Sequence, residues 1–250
     1  MKSSIPFSRV LFSLAFSGLA QAADSPPSLV PVRPTGVAVI PALVPLVPPR
    51  NGQTERVDYS RAQTLEGWEG DPAYWTVRDG AFEAKGEKVP STFLLTSKVY
   101  LDFRLTFRSQ MVVSENHAGI VFWGAQTVLP SGEKLRDYKG PLVAFPELGM
   151  WDYRTNERIA VDPECKAVAS KVARQHDWIT VEILAQGNRV RVAFNGRQVI
   201  DWREPHPELI KAGPIGLQLH GFALPQKAVY KDVVIEANPK EDRLTTVTEN

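Results

Sequence analysis

Five side chains in three short stretches have the types and spacing for shared chemistry. Glu147 and Asp152 stand in Pro146-Glu-Leu-Gly-Met-Trp-Asp152. Two carboxylates on one face could hold a hard divalent cation through oxygen, or work as acid and base. Five residues apart on an unbroken strand, they point to opposite faces. A shared site therefore requires a bulge, and Gly149 is where one could form. The alternative is one solvated carboxylate and one that bonds a loop. Gln218 and His220 close the run Gly213-Pro-Ile-Gly-Leu-Gln-Leu-His220. Its alternation sends Ile215, Leu217 and Leu219 into a core, so Gln218 and His220 face out of it, towards a cleft. A histidine titrating near neutrality can be a general base or a metal ligand, against the plainer role of a hydrogen-bonded residue at a strand end. His117 opens the run Ala118-Gly-Ile-Val-Phe122, which Trp123 ends. Trp123, Trp151 and Trp202 are each candidates to stack on the apolar C–H face of a sugar, or else to fill the core or its rim. His176 and His206 lie in loops and are expected to be structural or solvated.

Strands must position these residues. In Trp178–Gln186 the residues Ile179, Val181 and Ile183 alternate with Thr180, Glu182 and Leu184. In Arg189–Phe194 the residues Val190, Val192 and Phe194 alternate with Arg189, Arg191 and Ala193. Period-two patterning of this kind belongs to strands with one buried face. Asn195-Gly196 is a two-residue type I′ turn signal, Asp79-Gly80 is another, and Gly187-Asn188 reads as a tight turn. Leu101, Phe103, Leu105 and Phe107 face in on a further strand, while Asp102, Arg104, Thr106 and Arg108 face out. The excursion 154–177 precedes the central meander, and Ala228–Glu236 is a closing strand. With no helix longer than about three turns and no βαβ pattern, the expectation is an all-β antiparallel sandwich in a single domain.

The ends read differently. Lys2 and Arg9, the apolar Val10–Ala20 and the small-x-small Ala20-Gln21-Ala22 mark residues 1–22 as a signal peptide. The apolar run is well short of the roughly 20 residues that span a membrane. Export to the periplasm or the extracellular space follows as an expectation, with no integral membrane segment once the signal is removed. Residues 23–54 are a Pro-rich leader, read as a semi-stiff extended linker; 55–237 form the sandwich, and the polar 238–250 a disordered tail. A net charge of +1 over 250 residues, with no basic cluster interleaved with aromatics, gives no case for nucleic acid. Cys165 is the single cysteine, so no internal disulfide forms, and it reads as a buried residue.

Taken in order, the Asp79-Gly80 hairpin after Tyr74-Trp75, Tyr100-Leu-Asp-Phe-Arg-Leu, Asn116-His-Ala-Gly-Ile-Val-Phe, Asp177-Trp178, Phe194-Asn-Gly-Arg, Gly213–Gly221 and Tyr230-Lys-Asp-Val-Val-Ile resemble the 3-keto-disaccharide hydrolase family. The resemblance spans nearly all of 65–237. It implies a concanavalin A-like jelly roll and an exported hydrolase of 3-keto-glycosides. The chemistry implied is removal of the C2 proton acidified by the C3 ketone, elimination of the C1 substituent, and addition of water. By the same resemblance His220 is the base, and Glu147 and Asp152 are ligands to a divalent cation or to substrate hydroxyls. Gln218, His117, Trp123 and Trp151 then bind substrate, and no organic cofactor is needed. Where the family carries Tyr-Glu-x-Gln-Ile-x-Asp, this chain has Pro146 for the aromatic and Gly149 for the Gln. A non-catalytic, lectin-like carbohydrate-binding sandwich is the alternative, and an envelope protein-interaction module a third. A retaining glucanase does not fit, because its Glu-x-Asp-x-x-Glu strand is missing.

Overall fold

The alternating runs fold as the strands of two stacked antiparallel sheets, in a computed structural model that describes residues 46–130 and 134–247. The larger sheet contains β1 (Glu55–Asp58), β3 (Trp75–Arg78), β4 (Ala81–Gly86), β6 (Phe103–Val113), β13 (Ile179–Gln186), β14 (Arg189–Phe194), β15 (Arg197–Arg203) and β17 (Gln226–Ala237). Its order is β15-β14-β13-β6-β17-β4-β3, with β1 also paired to β17. The smaller sheet contains β2 (Trp68–Glu69), β5 (Thr92–Thr96), β7 (Ala118–Val121), β10 (Pro141–Phe145), β11 (Gly149–Asp152), β12 (Glu157–Ile159) and β16 (Gly216–Leu219). Its order is β12-β11-β10-β7-β16-β5-β2. A separate ribbon of β8 (Ala125–Val128) and β9 (Lys134–Lys139) crosses one end of the smaller sheet. This is the antiparallel β-sandwich that the patterning predicts, in the jelly-roll form that the resemblance implies.

The core lies between the sheets. Phe103, Leu105, Phe107, Val181, Ile183, Val190, Val192 and Phe194 descend from the larger one to meet Ile120, Val143, Phe145, Leu217 and Leu219. The two predicted type I′ turns form with both residues at positive φ: Asp79 at 50° and Gly80 at 75°, Asn195 at 46° and Gly196 at 79°. The excursion holds one helix, α1 (Pro163–Val172), started by Asp162, whose side chain accepts from Glu164 N, with Pro163 in the first turn. It sets Cys165 in the core, and burial, more than the nearby Asp162 and Glu164, pushes that thiol up to about 12. A thiol so protonated is a packing residue, not a nucleophile.

Two segments differ from expectation. Residues 238–247 do not leave the domain as a disordered tail; they strap across the outer face of the larger sheet. Glu182 is buried there and accepts from the backbone N–H of Thr245 at 2.9 Å and of Thr246 at 2.7 Å. Arg104 pairs with Glu182 and donates to Arg243 O at 3.0 Å. Leu184 and Ala193, both on the outward face, pack against Leu244. A buried charge pair and outward-facing apolar residues need a cover, and this segment supplies it. The described end of the Pro-rich leader is also docked, since Val47 N donates to Asn188 Oδ1 at 2.9 Å. Residues 1–45, with the expected signal peptide and most of the leader, lie outside the described residues.

Candidate active site

The outward face of the smaller sheet carries the candidate site, and the strand register shows why. Across it run two rows of side chains. In one, Phe93, Gln218, Gly119, Ala144 and Gly149 lie side by side on β5, β16, β7, β10 and β11. In the next, Leu95, Gly216, Val121, Leu142, Trp151 and Arg158 do the same. The small residues leave a depression. Its margin is set by His117 and His220, each two residues from the first row and just beyond the ends of β7 and β16. The resulting cavity, about 370 Å³, is lined by His117, Leu142, Ala144, Glu147, Leu148, Gly149, Met150, Trp151, Tyr153, Asn156, Arg158 and His220.

The two histidines stand together, with ring centroids 4.2 Å apart. Burial, then the neighbouring His220 and Arg158, holds His117 down at about 4, so it is neutral at physiological pH. His220 Nδ1 has two neighbours: Gly221 O at 2.9 Å and Asn116 Nδ2 at 3.0 Å. Protonated, Nδ1 donates to the carbonyl and leaves the lone pair on Nε2. Unprotonated, Nδ1 accepts from Asn116 and the proton sits on Nε2. The local bonds therefore accommodate both neutral tautomers of His220, one with the lone pair on Nε2 and one with the proton there. Asn116 itself is fixed, because its Oδ1 accepts from His117 N at 2.9 Å and its carbonyl accepts from Gln175 Nε2 at 2.9 Å. Sequence reasoning missed this positioning residue, although it immediately precedes His117.

The remaining predicted residues divide. Glu147 lies on the cavity rim, exposed, in the turn between β10 and β11. Trp151 walls the cavity and has a buried indole N–H without a partner among the described residues. Tyr153 lies beside it at 6.4 Å between centroids. Gln218 faces out of the core as the alternation requires, but it is wholly buried beneath the surface and does not line the cavity. Among the described residues its amide lacks partners at both ends. Trp123 is corrected: it is buried in the core, with its indole donating to Leu101 O at 2.6 Å. Trp202 is likewise a core residue.

Asp152 is also corrected. Pro146 to Leu148 do not carry a bulged strand but turn the chain back, so that Ala144 pairs with Gly149. Asp152 then shares a face with Met150, which packs in the core, opposite to Trp151. Its carboxylate accepts from Arg154 Nη2 at 2.7 Å and from Arg154 N at 2.8 Å. Arg154 also pairs with Glu204. Burial alone would raise Asp152, but the Arg154 bonds outweigh it and hold the carboxyl below its usual range. For Glu204 burial wins and the pKa is raised. Glu147 and Asp152 therefore form no shared carboxylate pair. Among the described residues no three His, Cys, Asp or Glu side chains are grouped to hold a metal. Among the described residues the donor set therefore does not fit a divalent cation held by the protein alone.

A depression with a histidine pair and aromatic walls on one sheet of a jelly-roll sandwich offers the concave, partly apolar site that a carbohydrate ligand needs. The family model for the 3-keto-alpha-glucoside-1,2-lyase-like domain matches residues 59–236, and the chain belongs to that family. Among solved structures, the chain is similar to a putative glycosyl hydrolase from Parabacteroides distasonis ATCC 8503. The identity is 17%, covering 74% of this chain and 94% of that one, with a TM-score of 0.51. It is also similar to a protein of unknown function with a galectin-like fold from Bacillus subtilis, at 14% identity, covering 76% of this chain and all of that one (100%), with a TM-score of 0.54. At these identities the likeness is one of fold. No curated protein sequence matches the chain. Among the described residues no helix is long and apolar enough to cross a membrane.

Proposed function

We propose that the protein is an exported hydrolase of 3-keto-glycosides, including 3-keto-disaccharides, working by elimination and hydration. The observation that carries this reading is the paired His117 and His220 at the margin of a cavity walled by Trp151 and Tyr153, in a chain of this family. A ketone at C3 acidifies the C2 proton. His220, with Nδ1 donating to Gly221 O, takes that proton on Nε2. The C2–H electrons form the enediolate, and Arg158 on the cavity wall supplies positive charge for its oxygen. The electrons then expel the C1 oxygen, which leaves with a proton from solvent at the open rim. Water adds to C1, and His220 returns a proton to C2, so the net reaction is hydrolysis. His117, neutral beside it, adds no competing charge and accepts a hydrogen bond from the sugar. Trp151 offers its face to the ring.

The test is aglycone release from a methyl 3-keto-glucoside by the mature protein, with and without chelator. Release by the wild type, and its loss in His220→Ala at unchanged melting temperature, is expected. Near-normal turnover in that variant removes His220 from the mechanism. Release that chelator abolishes and a divalent cation restores overturns the route without a metal. Retention of glycans without turnover of any keto-sugar favours the lectin-like reading.

A further inference from the structure

A second cavity opens on the same face, about 120 Å³ in volume, lined by Ser91, Phe93, Asp137, Tyr138, Lys139 and Tyr153. One water needs only ~10–15 Å³ by such a measure, so this space admits a group of several heavy atoms. Tyr153 is a wall of both cavities. Phe93, on its floor, belongs to the row that runs through Gln218 and Gly119 to Ala144 in the first cavity. Three strand spacings separate Phe93 from Ala144, roughly 14 Å, with His220 just past the end of β16 between them. Ser91 adjoins that histidine as well, since its Oγ accepts from Gly221 N at 3.0 Å.

The lining has a definite chemistry. Phe93 and Tyr138 stand 6.0 Å apart and tilted, both buried, and form an apolar base beneath the cavity. Asp137 Oδ1 is buried and has no hydrogen-bond partner among the described residues, while its Oδ2 lies 3.6 Å from Lys139 Nζ. A buried carboxylate oxygen without a donor is unfavourable, and a ligand hydroxyl would relieve it. A neutral polyol suits the place better than an anion or a cation would, because the carboxylate accepts and the ammonium donates within one small cavity.

We infer that this cavity is the subsite for the second sugar ring of a 3-keto-disaccharide whose oxidised ring occupies the His117–His220 cavity. Asp137 accepts from its hydroxyls, Lys139 donates to them, and the half-buried Tyr153 borders its C–H face. The inference rests on the hydrolase reading above and adds a preference for a hydroxylated aglycone.

The experiment compares kcat/KM for a 3-keto-disaccharide of two hexoses with that for methyl 3-keto-glucoside, in wild type, Asp137→Ala and Asp137→Asn. The ratio of disaccharide to methyl glycoside is expected to fall at least tenfold in Asp137→Ala and by less in Asp137→Asn, with melting temperatures unchanged. A ratio within twofold of wild type in both folded variants overturns the subsite while leaving the hydrolase reading in place. Wild type that releases aglycone from neither compound overturns the hydrolase reading, and this inference falls with it.

Discussion

His117 and His220 face each other just beyond the ends of two adjacent strands, their rings 4.2 Å apart. Burial beside His220 and Arg158 holds His117 at about 4 against an ordinary 6.5. The folded protein thus prefers this ring neutral. The unfolded chain takes up the proton near pH 6.5 and the folded one near pH 4, so stability falls as pH drops through that window and levels off below it. The loss from this group is on the order of 3 kcal/mol. Denaturant titrations from pH 7 to pH 4 should show that slope in wild type and a shallower one in His117→Gln. Equal slopes in the two proteins would sink the assignment.

For His220 the expectation is kinetic. A positioned general base contributes about 10²- to 10⁴-fold. Asn116→Ala removes one of the two contacts that hold the Nδ1 edge of the His220 ring in place. Its expected effect is smaller than that of His220→Ala, about tenfold, together with a shifted pH profile for kcat/KM. A profile identical to wild type would mean that Asn116 holds only the loop.

Asp152 marks the limit of what spacing alone reveals. The sandwich was legible because alternation at Ile179–Ile183, at Val190–Phe194 and at Ile215, Leu217 and Leu219 specifies faces, and Asn-Gly and Asp-Gly specify turns. The same alternation placed His220 correctly. It failed between Glu147 and Asp152 because the chain reverses at Pro146–Leu148, and a reversal resets which face each residue takes. The Asp152–Arg154–Glu204 cluster joins residues 50 apart in sequence, and no local pattern announces it. Gln218 was placed on the right face but not at the right depth, since depth depends on what the neighbouring strands and the ribbon lay over it. Leu184 on an outward face was the one sequence signal that residues 238–247 cover the sheet.

Disrupting that cluster should therefore cost stability without touching chemistry. Asp152→Asn leaves Arg154 and Glu204 buried with one charge fewer, which predicts a loss of about 2–4 kcal/mol. The kcat of the folded fraction should stay within twofold of wild type. Denaturation midpoints and turnover at low temperature separate the two effects, and a stable but inactive variant would restore Asp152 to the site.

Gly149 offers a change in the opposite direction. A Cβ built there meets only Ala144 Cβ, at 3.8 Å, which is ordinary contact, and its φ is not in the left-handed region. Gly149→Gln should thus fold with an unchanged melting temperature and project an amide into the cavity beside Trp151. The result expected is altered KM for keto-sugars, by at least threefold, with kcat moved less. By contrast Gly119→Ala puts a Cβ 2.8 Å from Gln218 Oε1 and 3.0 Å from Leu142 Cδ1, and should lower stability. Reversal of that order in a thermal melt would show that the depression is not shaped as the register describes.

The strap gives the last prediction. Glu182 lies buried in the middle of the larger sheet and is held below its usual range: burial would raise it, but the N–H groups of Thr245 and Thr246 with the Thr246 hydroxyl outweigh that. Removing residues 240–250 strips those donors, uncovers Leu184, and leaves Arg104 as the main partner of a buried carboxylate. Each donor lost to a charged group counts for about 1.5–3 kcal/mol, and Leu244 adds its own burial. A destabilisation of about 3–5 kcal/mol is expected, growing smaller as pH falls and Glu182 protonates. The strap lies on the larger sheet and His117 and His220 on the far side of the sandwich, so activity of the folded fraction should persist. Glu182→Gln in the full chain should reproduce part of the loss, and a truncated protein that melts like wild type would mean that the strap is not what holds Glu182 in place.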